Sequence, residues 1–217
     1  MCGRASQRVC TLLVLLLWLV TTGVHAQREI SDVSRLREAD LLFHVSDTSN
    51  AITQVTSAAD LPIDHVSIFT RRGGKVAVIE AIGRGVVLTP IDSVLLREGY
   101  HIVGRVRHVD RNRSVSEAMR YIGRAYDSYF LPGNDEIYCS ELVALSYHTR
   151  KGTLCFQPIA MSFHDESGAI TPYWQKHYEQ AGLTVPEGWP GTNPSELSRR
   201  SNVRILWILK RAEKKSE

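Results

Sequence analysis

Asp64-His-Val-Ser-Ile-Phe-Thr70, Arg71-Arg-Gly-Gly74 and Lys75-Val-Ala-Val-Ile-Glu-Ala-Ile82 follow one another without interruption. The first stretch alternates like a half-buried strand, the second is a turn signal, and the third is an apolar return strand. Together they predict a β-hairpin. A two-residue loop at Gly73-Gly74 sets Ser67 across from Glu80 and makes His65 a diagonal neighbour of Glu80. A four-residue loop over 71–74 sets His65 directly opposite Glu80. Both place imidazole and carboxylate on one face, with Val66 and Ile68 on the other, whereas a three-residue loop would separate them. Glu80 interrupts an otherwise apolar strand, so its carboxylate needs a partner unless it faces solvent at an edge.

Outward from the hairpin, Asp40-Leu-Leu-Phe-His-Val-Ser46, Val86-Val-Leu-Thr-Pro-Ile91, His101-Ile-Val-Gly-Arg-Val-Arg107 and Val203-Arg-Ile-Leu-Trp-Ile-Leu209 read as further strands. Ser114-Val-Ser-Glu117 has the form of a capping box opening a helix through about Tyr126. A second strong helix is expected from Tyr138 to about Lys151, closed by Gly152, and a third over 171–180. Residues 186–194 read as irregular. Strands cluster early and helices follow, which predicts an α+β fold with an antiparallel sheet packed against helices.

Residues 1–26 carry Arg4 and Arg8, a short apolar run from Leu12 to Val20, and Val24-His-Ala26. That is the pattern of a cleaved signal peptide, and it predicts an exported protein, periplasmic or extracellular, with one domain over residues 27–217. No second apolar run is long enough to span a bilayer. Of 217 residues, 26 are Lys or Arg and 23 Asp or Glu. Seven basic residues against two acidic ones fall in the last stretch, Arg199 to Glu217. The body therefore lacks the basic face a nucleic-acid protein needs. No Walker loop, G-x-S-x-G elbow or H-E-x-x-H occurs. Adjacent residues of His164-Asp-Glu166 point apart, so no metal site or cofactor is expected.

Past the leader, the cysteines are Cys139 and Cys155. In a helix beginning near 139, Cys139, Leu142, Val143 and Ser146 share the buried face. The thiol then lies in the first turn, where unpaired N–H groups and the macrodipole favour an anion. An ordinary thiol has a pKa of ~8.5; a helix start and a neighbouring imidazolium can lower it by units. A nucleophilic cysteine needs a base and an acceptor that orients the base, and the hairpin offers His65 and Glu80. The competing structural role is a Cys139–Cys155 disulfide stapling a non-catalytic binding module.

Asp40-Leu-Leu-Phe43, Asp64-His-Val-Ser-Ile68, Val78-Ile-Glu-Ala81 with Gly85-Val86, and Tyr138-Cys-Ser-Glu-Leu-Val143 resemble the permuted papain-like cysteine hydrolases, the YaeF/YiiX-like branch of the NlpC superfamily. The resemblance runs from about residue 38 to 150. It implies a papain arrangement in circular permutation, the base hairpin preceding the nucleophile helix. It matches Cys139 to the nucleophile, His65 to the base and Glu80 to the orienting residue. Ala39 departs from the pattern, which expects Gly before the Asp. The implied activity is hydrolysis of a peptide, isopeptide or other acyl-amide bond through a thioester. Peptides of the cell envelope are the substrates that export suggests. Lipid acyl transfer or thioester hydrolysis on the same triad is the alternative, with Tyr126, Tyr129 and Phe130 as candidate walls of an apolar cleft. Residues beyond about 155 carry no motif.

Overall fold

A computed structural model describes residues 29–57 and 61–210. The expected signal peptide at 1–26 and the end of the basic tail lie outside the described residues. Along the chain come β1 (Glu29–Ile30), β2 (Asp40–Val45), α1 (Ala51–Thr56), β3 (Ile63–Thr70), β4 (Ala77–Ile82), β5 (Gly85–Pro90), α2 (Ile91–Val94) and β6 (Tyr100–Val106). Then follow α3 (Arg111–Arg120), α4 (Cys139–Ser146), β7 (Ile159–Ala160), α5 (Pro172–Gln180), β8 (Pro190–Gly191), α6 (Pro194–Arg199) and β9 (Val203–Leu209). The main sheet runs β1-β9-β6-β2-β3-β4-β5, and β7 pairs with β8 apart from it. Every ladder is antiparallel except that of the two-residue β1 with β9. The α+β class expected from the order of elements is the one observed.

The sheet is buried on both faces, which is why its middle strands read as apolar runs rather than strict alternation. One face carries Leu41, Phe43, Val66, Ile68 and Ile79 against Val115 and Ala118 of α3 and Leu142 and Val143 of α4. The other carries Leu42, Phe69, Val78 and Val103 under Ile91 and Val94 of α2. Each such aliphatic side chain contributes roughly 1.5–3 kcal/mol by leaving water. In the decisive hairpin Ile68 pairs with Ile79, Phe69 with Val78 and Thr70 with Ala77. Extended inward, this is the register that sets Ser67 across from Glu80 and His65 on the diagonal. The connection is looser than a two-residue turn: Arg72–Gly74 forms a 3-10 turn. Gly73 and Gly74 there adopt φ of 67° and 72°, which explains the glycine pair.

Three helix boundaries differ from expectation, one of them the end of α3 at Arg120, short of the expected Tyr126. α3 starts at Arg111, capped by the Asp110 carboxylate, which accepts from the Arg113 N–H at 3.1 Å. Ser114 is not a cap; it is buried in the first turn and its hydroxyl accepts from the His148 N–H at 3.1 Å. α4 stops at Ser146 because Tyr147 turns extended, fully buried, and its hydroxyl donates to the Ala39 carbonyl at 3.0 Å. Ala39 itself sits at φ 59°, the left-handed conformation for which glycine is the natural choice. α6 and the short β7–β8 pair occupy segments for which the sequence suggested irregular chain or nothing.

At the head of β2, Asp40 is completely buried. Arg105 of β6 binds it with two hydrogen bonds, Nε to Oδ1 at 2.7 Å and Nη2 to Oδ2 at 2.6 Å, and the Arg37 N–H adds a third at 2.9 Å. Removing the cation strands a buried carboxylate. Urea denaturation of Arg105→Met is expected to show a loss of about 3–5 kcal/mol; a loss below about 1 kcal/mol would mean that Asp40 finds water or another partner.

Candidate active site

The start of α4 is held from three directions. Tyr138, extended at φ −97° and ψ 169°, supplies no side-chain cap. The Glu141 carboxylate reaches back to accept from the Tyr138 N–H, the acidic half of a capping box. Burial pushes Glu141 up to about 7. The Tyr138 hydroxyl accepts from the Thr192 N–H at 3.1 Å, and the Thr192 hydroxyl meets the Ser140 hydroxyl at 3.1 Å. Leu142 and Val143 anchor the helix to the sheet. Cys139, 4% exposed, is thereby fixed in the first turn, and both it and Cys155 are free thiols. The disulfide that the stapled-module alternative required is not formed.

His65 comes from β3, beside a β-bulge: His44 pairs with His65, but Val45 pairs with Ile63, leaving Asp64 as the extra residue. Bulges re-aim side chains. Through Nε2 the His65 ring meets Glu80 Oε2 at 2.8 Å, and it lies near enough to the Cys139 sulfur to interact with it electrostatically. The three residues singled out in the sequence are thus brought together in a row. Burial by itself would drive the imidazole down; the Cys139 sulfur and the Glu80 carboxylate outweigh it and raise the ring to about 9. Glu80 is inaccessible to solvent. Burial alone would raise its carboxyl, but His65 and Arg97 hold it far below the usual carboxylate range.

Arg97 was not singled out from the sequence. It follows α2 and clasps Glu80 with two hydrogen bonds, Nη1 to Oε2 at 2.8 Å and Nη2 to Oε1 at 2.5 Å. The one available signal was the demand of a buried acid for a cation; no spacing pointed to position 97. A second carboxylate–imidazole pair lies alongside. His44 Nδ1 meets Asp64 Oδ1 at 2.6 Å, its Nε2–H donates to the Glu98 carbonyl at 2.7 Å, and the Asn50 amide donates to Asp64 Oδ2 at 2.7 Å. The Asp64 hydrogen bond raises the His44 imidazole. His101, across β2 from His44, is pushed down to about 3 by burial and stays neutral.

A cleft opens beside the sulfur. Tyr126 and Phe130 line it, together with Ile52, Val55, Phe163 and Trp174. Tyr129 does not; it packs against Tyr178 and stacks on His177. His164 faces Glu187 and Asp165 binds Ser167, so the His164–Glu166 trio does not converge. Among the described residues no three His, Cys, Asp or Glu side chains are grouped to hold a metal ion.

Comparison with known proteins identifies the fold and the family. The uncharacterized protein YiiX of Escherichia coli (strain K12) is 29% identical over 119 residues, 52% of this chain and 58% of that protein. The aligned part thus spans little more than half of that relative's length. The crystal structure of the metalloprotein YiiX from Escherichia coli O157:H7 superposes with a TM-score of 0.63 at 20% identity, covering 79% of this chain and 98% of that one. That likeness shows the fold. The model of the permuted papain-like amidase enzymes, YaeF/YiiX, C92 family, matches residues 35–204. With that match spanning the hairpin, strands β2 to β6 and the cysteine helix, the chain belongs to the permuted papain-like amidase family.

Proposed function

We propose that the protein is an exported cysteine amidase in which Cys139 is the nucleophile, His65 the general acid and base, and Glu80 the residue that orients and charges the imidazole. The observation that carries this is the His65 ring held between a buried carboxylate and a sulfur at a helix start. We assign the thiol proton to His65, whose imidazole is raised to about 9. The Cys139 sulfur attacks the amide carbon, and the carbonyl π electrons move to oxygen. Backbone N–H groups in the first turn of α4, which no side chain caps, are placed to receive that oxyanion. The oxyanion collapses, the C–N bond breaks, and the imidazolium gives its proton to the leaving amine. Water, deprotonated by the neutral ring, then cleaves the thioester, releasing the carboxylic acid and restoring the thiol proton to the pair. Arg97 acts through Glu80, keeping its carboxylate ionised and in place.

The solved relative is described as a metalloprotein. Among the described residues no cluster is suited to a metal ion, and no step of this mechanism runs through one.

Cys155 provides an internal control, because partial burial pushes its thiol up. Iodoacetamide at pH 6, with peptide mapping, is expected to alkylate Cys139 at least about tenfold faster than Cys155, since only the thiolate reacts. Equal, slow labelling of both would remove the activated nucleophile. His65 must be protonated to release the amine and is raised to about 9. Amide turnover is therefore expected to fall as pH rises through about 9 while alkylation of Cys139 does not. An amidase rate that keeps rising past pH 10 would contradict His65 as the acid. Cys139→Ala and His65→Asn are each expected to lower kcat by roughly a thousandfold or more.

A further inference from the structure

Two hydrogen bonds of His44 land one residue away from groups that the mechanism uses. Its Nδ1 meets Asp64 Oδ1 at 2.6 Å, and Asp64 precedes His65. Its Nε2 lies 2.7 Å from the Glu98 carbonyl oxygen, and Glu98 follows Arg97. A carbonyl oxygen only accepts, so Nε2 carries a hydrogen. The ring is thus a cross-tie between the bulge of β3 and the chain that leaves α2. His44 is the direct cross-strand partner of His65, which puts both rings on one face. In a regular strand Asp64 would point away from that face; as the extra residue of the bulge it meets His44 instead. Asn50, the N-cap of α1, holds the second Asp64 oxygen at 2.7 Å. The ring of His101 backs His44 at 5.1 Å.

The chain at the other end of the tie needs it. Arg97 lies past the end of α2, and its N–H bonds the Val94 carbonyl at 3.2 Å. Among the described residues two side chains bind the backbone of 97–99: His44 at the Glu98 carbonyl, and Asp47 at the Gly99 N–H, 2.9 Å away. Gly99 adopts φ 82°, and a Cβ there would overlap the Val45 carbonyl oxygen, so the segment closes on the end of β2 as only glycine allows. The Arg97 side chain is 30% exposed, and a long cation loses rotamer freedom when it pairs. A fixed backbone beneath it lowers that cost. We propose that His44 is a positioning residue for the amidase reaction: its bond to the Glu98 carbonyl holds the backbone from which Arg97 reaches Glu80, and through Glu80 it sets the His65 ring. The inference rests on the triad reading above.

Amide isosteres separate the two contacts, because a glutamine amide nitrogen replaces Nε2 and an asparagine amide nitrogen replaces Nδ1. In the full chain, alkylation of Cys139 by iodoacetamide at pH 6 is measured for wild type, His44→Gln, His44→Asn, Arg97→Met and the double variant His44→Asn with Arg97→Met, with labelling of Cys155 as the reference. His44→Asn is expected to slow Cys139 about tenfold, as a thiol raised by one pKa unit does, and His44→Gln to recover the rate to within about threefold of wild type. Arg97→Met is expected to slow it at least as much. The double variant should match Arg97→Met within about twofold, because residues acting through one contact are not additive. Nitrogen-15 NMR reads the same contact: the two Arg97 Nη groups, held by separate Glu80 oxygens, are expected to give separate resonances in wild type that merge in His44→Asn. If His44→Asn does not fold, Asp64→Ala takes its place in the cycle with the same expectation. A wild-type rate in His44→Asn, or losses that multiply in the double variant, overturns the positioning role and leaves the triad standing. Slow, equal labelling of Cys139 and Cys155 in wild type overturns the triad and this inference together.

Discussion

The carboxylate of Glu80 has no access to water, and two cations converge on it: the His65 imidazole at 2.8 Å and the Arg97 guanidinium at 2.5 and 2.8 Å. A charge taken out of water is costly unless its partners are fixed in good geometry. The constraint therefore works outward. β3 and β4 must keep the register that puts both side chains on one face, and the chain leaving α2 must bring Arg97 to the same point. The bulge at Asp64 must leave the ring reaching the helix start. Three separate stretches are committed to one small volume. The cysteine helix then brings its sulfur to a ring already oriented by Glu80, and sulfur and carboxylate together raise that ring.

Much of this was legible in the residues, for a definable reason. Strand parity has a period of two, so a loop of either two or four residues assigns His65 and Glu80 to one face, and only a three-residue loop would part them. The periodicity of Cys139, Leu142 and Val143 likewise placed the thiol on the buried face. The parts that escaped depend on contacts distant in sequence or on competition between caps. Arg97 is tied to Glu80 through the packing of α2, and nothing local marks it. His44 carries no sequence signal for Asp64 until β2 and β3 are aligned with their bulge. Ser114 imitates a cap, but Asp110 outcompetes it and leaves the serine to the His148 N–H. Ala39 shows the reverse case: the glycine that the family pattern expects there corresponds to a real left-handed backbone, which this chain occupies with alanine at φ 59°.

The two halves of the chain divide the labour. The sheet and α4 supply the reactive groups, and all of them lie before residue 150. The later segment, which carried no motif, supplies walls and clamps: Met161, Phe163 and Trp174 beside the sulfur, and Thr192 on the hydroxyls of Tyr138 and Ser140. The proposed chemistry thus rests on the first segment, while the cleft beside the sulfur is walled in part by later residues whose patterns are less regular. Among the described residues no helix is long and apolar enough to cross a membrane, so the aromatic cluster around Trp174 serves the cleft and the packing of α5 rather than a span.

The charged state of one imidazole decides the account. NMR titration of the His65 ring in the full chain, with Glu80→Gln as the comparison, reads it directly. The ring is expected to titrate near 9 and to move toward the ordinary value when the Glu80 charge is removed. A ring that titrates near ~6.5, the value of an unperturbed histidine, and does not respond to Glu80→Gln would contradict it.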